Sequence, residues 1–106
     1  MNTYILSTKH EETAKLLDNK RLRFQKVQCL NILKHIFYDD KRCNHDEIVQ
    51  TWRNYPLCFL DYMTAISNEL IERFGKYEDL DLLKSLREKI YTALKHNFIE
   101  QYNVLK

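Results

Sequence analysis

Glycine and proline are nearly missing from this chain: Gly75 and Pro56 are the single examples among 106 residues. Tight hairpins and glycine-rich phosphate loops therefore have almost no material to form from, which argues for helices joined by polar turns. The three cysteines, Cys29, Cys43 and Cys58, form no C-x-x-C pair and do not alternate with the four histidines at zinc-ligand spacing. They read as reduced thiols of an intracellular protein. Long apolar runs are absent too. Lys9, His10, Glu11 and Glu12 stand where a secretory signal would need its apolar core, and no stretch approaches the ~20 apolar residues of a membrane span. The expectation is a soluble protein without membrane contact, cytoplasmic or, if virus-encoded, in the nucleus or a viral factory. Strong net charge is also lacking, the formal value being +2.

What is present is an uneven distribution of that charge. Residues 1–45 hold nine Lys and Arg against five Asp and Glu, and residues 46–106 hold eight against ten, so the first half is the anion-facing side. A chain of this length supports one domain with a modest core. Residues 3–8 look extended and would lay the amino terminus against that domain. A periodic helical segment follows from about Thr13 to Phe37. Asp46 is placed to cap a short helix through Trp52, and residues 53–56 read as a turn. Asn54 as cap and Pro56 in the first turn open a third helix, with Leu57, Leu60, Met63, Ile66, Leu70 and Phe74 at helical spacing and Gly75 as its stop. Residues 81–104, with Leu82, Leu83, Leu86, Ile90, Leu94 and Phe98, make a fourth amphipathic helix. The fold class expected is all-α, a compact single domain over residues 1–106 of about four helices around a central N-terminal one. Tyr91, Phe98 and Tyr102 either complete its core or build a partner surface.

The segment 14–36 is the informative one. On a helical wheel, Leu22, Cys29, Leu33 and Ile36 share a core stripe, while Lys20, Arg23, Asn31 and Lys34 lie opposite, as on any solvated face. Less ordinary is a second polar stripe of Arg21, Gln25 and Gln28, with Asp18 at its edge and Leu17, Phe24 and Ile32 beside it. Each polar group buried without a partner costs about 1–3 kcal/mol, so such a row is either an internal hydrogen-bond network or a site. Asp18 and Arg21, three residues apart, also fit a structural ion pair or a helix-terminus charge effect.

Leu17-Asp18-Asn19-Lys20-Arg21-Leu22-Arg23-Phe24-Gln25-Lys26-Val27-Gln28 resembles the L-D-x-x-R-L-x-K-Q-R-V-E segment of the pyrimidine-dimer DNA glycosylase family, of endonuclease V type. The start Met1-Asn2-Thr3-Tyr4 and Trp52-Arg53-Asn54-Tyr55-Pro56, where relatives show W-x-N-H-P, agree in order. The resemblance implies a DNA-repair enzyme, a glycosylase with abasic-site lyase activity. Such an enzyme grips kinked double-stranded DNA as a monomer, extrudes a nucleotide, and attacks the sugar C1′ with its own α-amino group through a Schiff base. No metal or organic cofactor is needed. An α-amino group suits this task because its pKa of about 7.7–8.0 leaves a useful unprotonated fraction near neutrality. Asn2 is too large to permit removal of the initiator methionine, so the amine belongs to Met1.

By the same resemblance Gln28 stands where a catalytic glutamate is expected, and an amide cannot carry a proton as a carboxylate does. Tyr55 replaces the commoner histidine and removes a group that titrates near pH 7. Three explanations of Gln28 are open: a natural homologue that has lost chemistry, an engineered carboxylate-to-amide change, or a shifted register in which Glu11 or Glu12 serves instead. The expected DNA contacts are Asn2, Lys20, Arg21, Arg23, Gln25, Lys26, Lys34, Asn54 and Tyr55, with Lys41 and Arg42 adding charge against phosphate and Asp18 in a structural polar network. Arg21, Gln25 and Tyr55 are the ones expected to reach a base or line the pocket of a flipped nucleotide. Two readings compete with the enzyme: a non-catalytic module that recognises distorted or modified DNA, and a helical protein-interaction domain whose basic face is merely solvated.

Overall fold

The computed structural model describes residues 3–38, 46–75 and 80–105, with side chains described through residue 93. Five α-helices follow one another: α1 (His10–Leu16), α2 (Asn19–Phe37), α3 (Glu47–Asn54), α4 (Pro56–Phe74) and α5 (Leu80–Leu105). No strand occurs among the described residues. The fold is all-α, as the scarcity of glycine and proline and the apolar periodicity imply.

The segment expected as one helix from Thr13 to Phe37 is two. Leu17 and Asp18 both adopt extended backbone (φ −77°, ψ 137° and φ −70°, ψ 168°) and separate α1 from α2. The break has a local support and a distant one. Asp18 turns its carboxylate onto the Arg21 N–H at 2.7 Å, capping α2 and competing with helix continuation. The carbonyls of Ala14 and Lys15 at the end of α1 accept from the Arg73 guanidinium at 3.4 and 3.1 Å, Ala14 O also taking the Leu17 N–H at 3.4 Å. That guanidinium is oriented in turn by Glu69 (2.9 Å) and donates to Asn19 Oδ1 (3.1 Å).

Asp46 caps α3 as the sequence indicates, accepting from Ile48 N and Val49 N at 2.9 and 3.2 Å. Asn54 does not cap α4. It is the last residue of α3, and Tyr55 is the hinge between the two helices, without a side-chain capping bond, while Pro56 takes the first turn of α4. Pro56 supplies its own preset φ and has no N–H to satisfy, which reduces the need for a side-chain acceptor. Gly75 ends α4 at φ 83°, a left-handed conformation that favours glycine, and its N–H bonds the Ile71 carbonyl at 2.7 Å.

The helix that packs against each of the others is α4 and not the amino-terminal one. The reason lies in its width of burial. Phe59, Leu60, Tyr62, Met63, Ala65, Ile66, Ser67 and Leu70 are all buried and span about 220° of its circumference, against the ~100° stripe of a surface helix. The core they form with Leu22, Cys29, Ile32 and Leu33 of α2, Val49 and Trp52 of α3, and Leu83 and Leu86 of α5 is continuous. Arg87 of α5 pairs with Asp61 of α4 at the rim. No helix among the described residues is long and apolar enough to cross a membrane.

Candidate nucleic-acid interface

Residues 3–8 are irregular, and their backbone is tied to the helices by side chains. Tyr4 N donates to Gln25 Oε1 (2.7 Å) and lies 3.2 Å from Tyr62 Oη, while Tyr62 Oη donates to Tyr4 O (2.9 Å) and stands 2.6 Å from Gln25 Oε1. Trp52 Nε1 donates to Thr3 Oγ1 at 3.4 Å. Leu6 N and Ser7 N both donate to the buried Thr13 hydroxyl, at 3.2 and 3.0 Å. The expectation that this segment lies against the domain is met at Thr3, Tyr4, Leu6 and Ser7, while the Ile5 and Leu6 side chains stay exposed.

Tyr4 and the first turns of α2 enclose a surface pocket of about 260 Å³, lined by Tyr4, Asp18, Lys20, Arg21 and Phe24. Two cations and two aromatic rings face a space large enough for part of a nucleotide. Arg21 is paired with Asp18 at the rim. The Asp18 carboxyl is held below the usual carboxylate range, first by the Arg21 N–H it accepts, with desolvation opposing and the Arg21 and Lys20 charges adding to the drop. It therefore stays ionised through the neutral range and keeps the Arg21 guanidinium oriented. Arg23, on the same outer face, lies over the Phe74 ring with its guanidinium carbon 4.1 Å from the centroid. Phe24 and Val27 are roughly half exposed between these cations. A helix face that mixes cations with exposed apolar side chains suits a nucleic acid, whose backbone is anionic and whose bases offer π-faces. Lys34 is also exposed, but it lies fourteen residues beyond Lys20, about 21 Å along the helix, beside a second cavity lined by Leu30, Leu33, Tyr38 and Leu82.

Other residues expected at the DNA lie elsewhere. Gln25 is fully buried and its carbonyl oxygen serves the Tyr4–Tyr62 network, so the internal-network reading of the polar stripe applies to it. Lys26 is 1% exposed and donates to Ser67 Oγ at 2.6 Å, inside the α2–α4 packing. Its wheel position, about 80° from Asp18 and next to Leu33, carried this signal. Gln28 is half-buried one turn beyond Gln25. Glu12 is exposed and accepts from Ser7 Oγ at 2.6 Å, and Glu11 is exposed beside it; neither lines the Tyr4 pocket. Asn54 and Tyr55 are exposed at the α3–α4 corner, Tyr55 by 64%, and neither lines that pocket. Met1, Asn2, Lys41 and Arg42 lie outside the described residues. Sequence reasoning missed Tyr4, Phe24 and Tyr62. Phe24 had a signal, an aromatic ring set among outward-facing cations; Tyr62 had none, since it sits at an ordinary core spacing.

Among the described residues no three His, Cys, Asp or Glu side chains gather to hold a metal ion. The Cys29 thiol is pushed up to about 12 by burial, with the Lys26 charge opposing, which makes it an inert core group.

No curated protein and no solved structure matched the chain. A family model described as pyrimidine dimer DNA glycosylase matches residues 1–88 of the 106, a span that holds the tied amino-terminal segment, the pocket and all of α1 to α4, and the chain belongs to that family.

Proposed function

We propose that this chain binds damaged double-stranded DNA as a monomer, draws a nucleotide out of a kinked duplex, and attacks the sugar C1′ with the Met1 α-amino group. Attack by the amine nitrogen displaces the base with its bonding electrons, and the base takes up a proton. Ring opening then leaves an imine between the protein and the sugar. Loss of a C2′ proton expels the 3′ phosphate by β-elimination, and hydrolysis of the imine releases the protein. The membership of the chain in a DNA glycosylase family supports the substrate and the reaction class.

The observation that carries the reading is the tie between Tyr4, Gln25 and Tyr62 at the edge of the cationic pocket. The same tie, with the Trp52 bond to Thr3, fixes the chain within two residues of that amine in sequence. Lys20 and Arg23 would take phosphates, and Arg21, Tyr4 and Phe24 would border the extruded nucleotide, whose exit costs a few kcal/mol and is easiest at damage.

Borohydride reduction on a duplex with one abasic site tests this. A covalent adduct is expected with the unblocked protein and not with an N-terminally acetylated one. A larger yield from Gln28→Glu would assign the proton-transfer position to residue 28. A second reading, recognition without chemistry, is favoured by the amide at Gln28; salt-sensitive binding with no adduct from either unblocked protein would establish it and refute the first.

A further inference from the structure

The geometry points to Tyr62 as the residue that positions the amino-terminal segment for attack, an inference that rests on the terminal amine being the nucleophile. Tyr62 sits in α4, the helix in contact with all the others, and is completely buried. Its ring is fixed from two sides. Trp52 stacks on it at 5.5 Å with 22° between planes, and the His10 ring meets it edge-on at 5.4 Å and 82°. The phenol oxygen lies on the axis about which a tyrosine ring turns, so even a ring flip leaves it in place. That oxygen lies within hydrogen-bonding distance of both backbone polar groups of Tyr4, 3.2 Å from the nitrogen and 2.9 Å from the carbonyl oxygen. Gln25 Oε1 meets the same N–H at 2.7 Å and the phenol at 2.6 Å.

A residue held at its N–H and its C=O has both flanking peptide planes fixed, and with them the direction in which Thr3 leaves. The ring that grips Tyr4 is also the ring stacked on Trp52, and the Trp52 indole holds the Thr3 hydroxyl. One aromatic unit therefore orients both Thr3 and the pocket-lining Tyr4. The hydroxyl is buried at a cost, seen in its acidity: burial, the largest influence, pushes the Tyr62 phenol well above its ordinary value. It stays a neutral donor throughout the working pH range. A phenylalanine would fill the same slot against Trp52 without that polar burden. The reactive amine gains from the hydroxyl, because a misplacement of about 1 Å can cost ~100-fold in rate.

The test compares wild type, Tyr62→Phe and Gln25→Met as full chains on one abasic duplex. Two quantities are measured: Kd by anisotropy and the single-turnover rate of borohydride-trappable adduct at saturating protein. Both variants should keep Kd within about twofold while the saturated rate falls about 10- to 100-fold. If wild type traps at its terminus and Tyr62→Phe traps at the same saturated rate, the positioning role is refuted and the proposed function stands. If the two variants diverge, so that only Gln25→Met slows, the role belongs to Gln25 and the assignment of Tyr62 is likewise refuted. An absence of any acetylation-sensitive adduct from wild type, with DNA still bound, overturns the proposed function and this inference with it.

Discussion

Lys20, Arg23 and Lys26 look equivalent in the sequence, three cations within seven residues, yet the fold gives them opposite roles, and the salt dependence of DNA binding separates them. Lys20 and Arg23 are exposed on the outer face of α2, whereas Lys26 is 1% exposed with its ammonium on Ser67 Oγ. Each phosphate neutralised by a protein cation contributes about −0.9 to the slope of log K against log salt on duplex DNA. The double variant Lys20→Gln/Arg23→Gln should therefore flatten the slope by about 1.8. Between 50 and 200 mM salt this amounts to a roughly tenfold smaller loss of affinity than the unaltered protein shows. Lys26→Met should leave the slope unchanged. Its effect should appear in urea unfolding instead, as a loss of about 1–3 kcal/mol, because the interior partners of the ammonium are left unsatisfied. Anisotropy titrations on a lesion-containing duplex at four salt concentrations, paired with circular dichroism to confirm folding, measure both effects. A folded Lys26→Met protein whose slope drops as far as that of a Lys20→Gln single variant would refute the division. The Lys26 side chain would then have to leave the core for the DNA.

Other consequences follow from the same coordinates. The Asp18 carboxyl is held low chiefly by the Arg21 N–H, so its stabilising effect is complete above the unfolded carboxylate range near 4 and disappears as pH falls through its lower folded value. Asp18→Asn should consequently show a shallower acid limb in thermal melts between about pH 5 and 2, and an unchanged limb would refute this. Cys29 has the opposite sign. With its folded thiol pushed up to about 12, the unfolded chain ionises first, binds fewer protons, and is favoured as pH rises above about 9. Peptide mapping after iodoacetamide treatment at pH 8.5 should find Cys58, which is exposed, alkylated and Cys29 unmodified until denaturant is added. Arg73→Met should release the Ala14 and Lys15 carbonyls and cost about 1–3 kcal/mol. Hydrogen exchange in α1 should quicken before that in α4, and uniform acceleration would show that Arg73 acts on the whole fold and not on the corner.

The parts of this fold legible in the sequence were those decided within a few residues. Asp46 caps α3 because an Asx side chain reaches the N–H groups two and three positions on, and Gly75 ends α4 because little else tolerates a left-handed backbone. The break between α1 and α2 was not legible. Thr13 to Phe37 is periodic throughout, and the interruption at Leu17–Asp18 is sustained by Arg73, more than fifty residues away. For the same reason α4 emerged as the helix touching all others only in three dimensions. Its apolar spacing resembles that of its neighbours, and what distinguishes it is burial on several faces at once.

The polar stripe on α2 shows why the site was only half readable. Arg21, Gln25 and Gln28 share one sector of the wheel, but Gln25 lies nearest the core stripe, and their depths differ. Arg21 is exposed at the pocket rim, Gln28 is half-buried, and Gln25 is wholly inside. The wheel placed all three together and left open whether the stripe was an internal network or a site. The structure divides it. The exposed end faces the space where DNA would lie, and the buried position supplies the acceptor that fixes Tyr4. The proposed attack by a chain terminus would need both, because a terminal amine has no helix or strand of its own beneath it. Orientation would then come from the interior and affinity from the surface. Arg21 and Gln25, one turn apart on α2, bring an exposed cation and a buried acceptor within one stretch of chain.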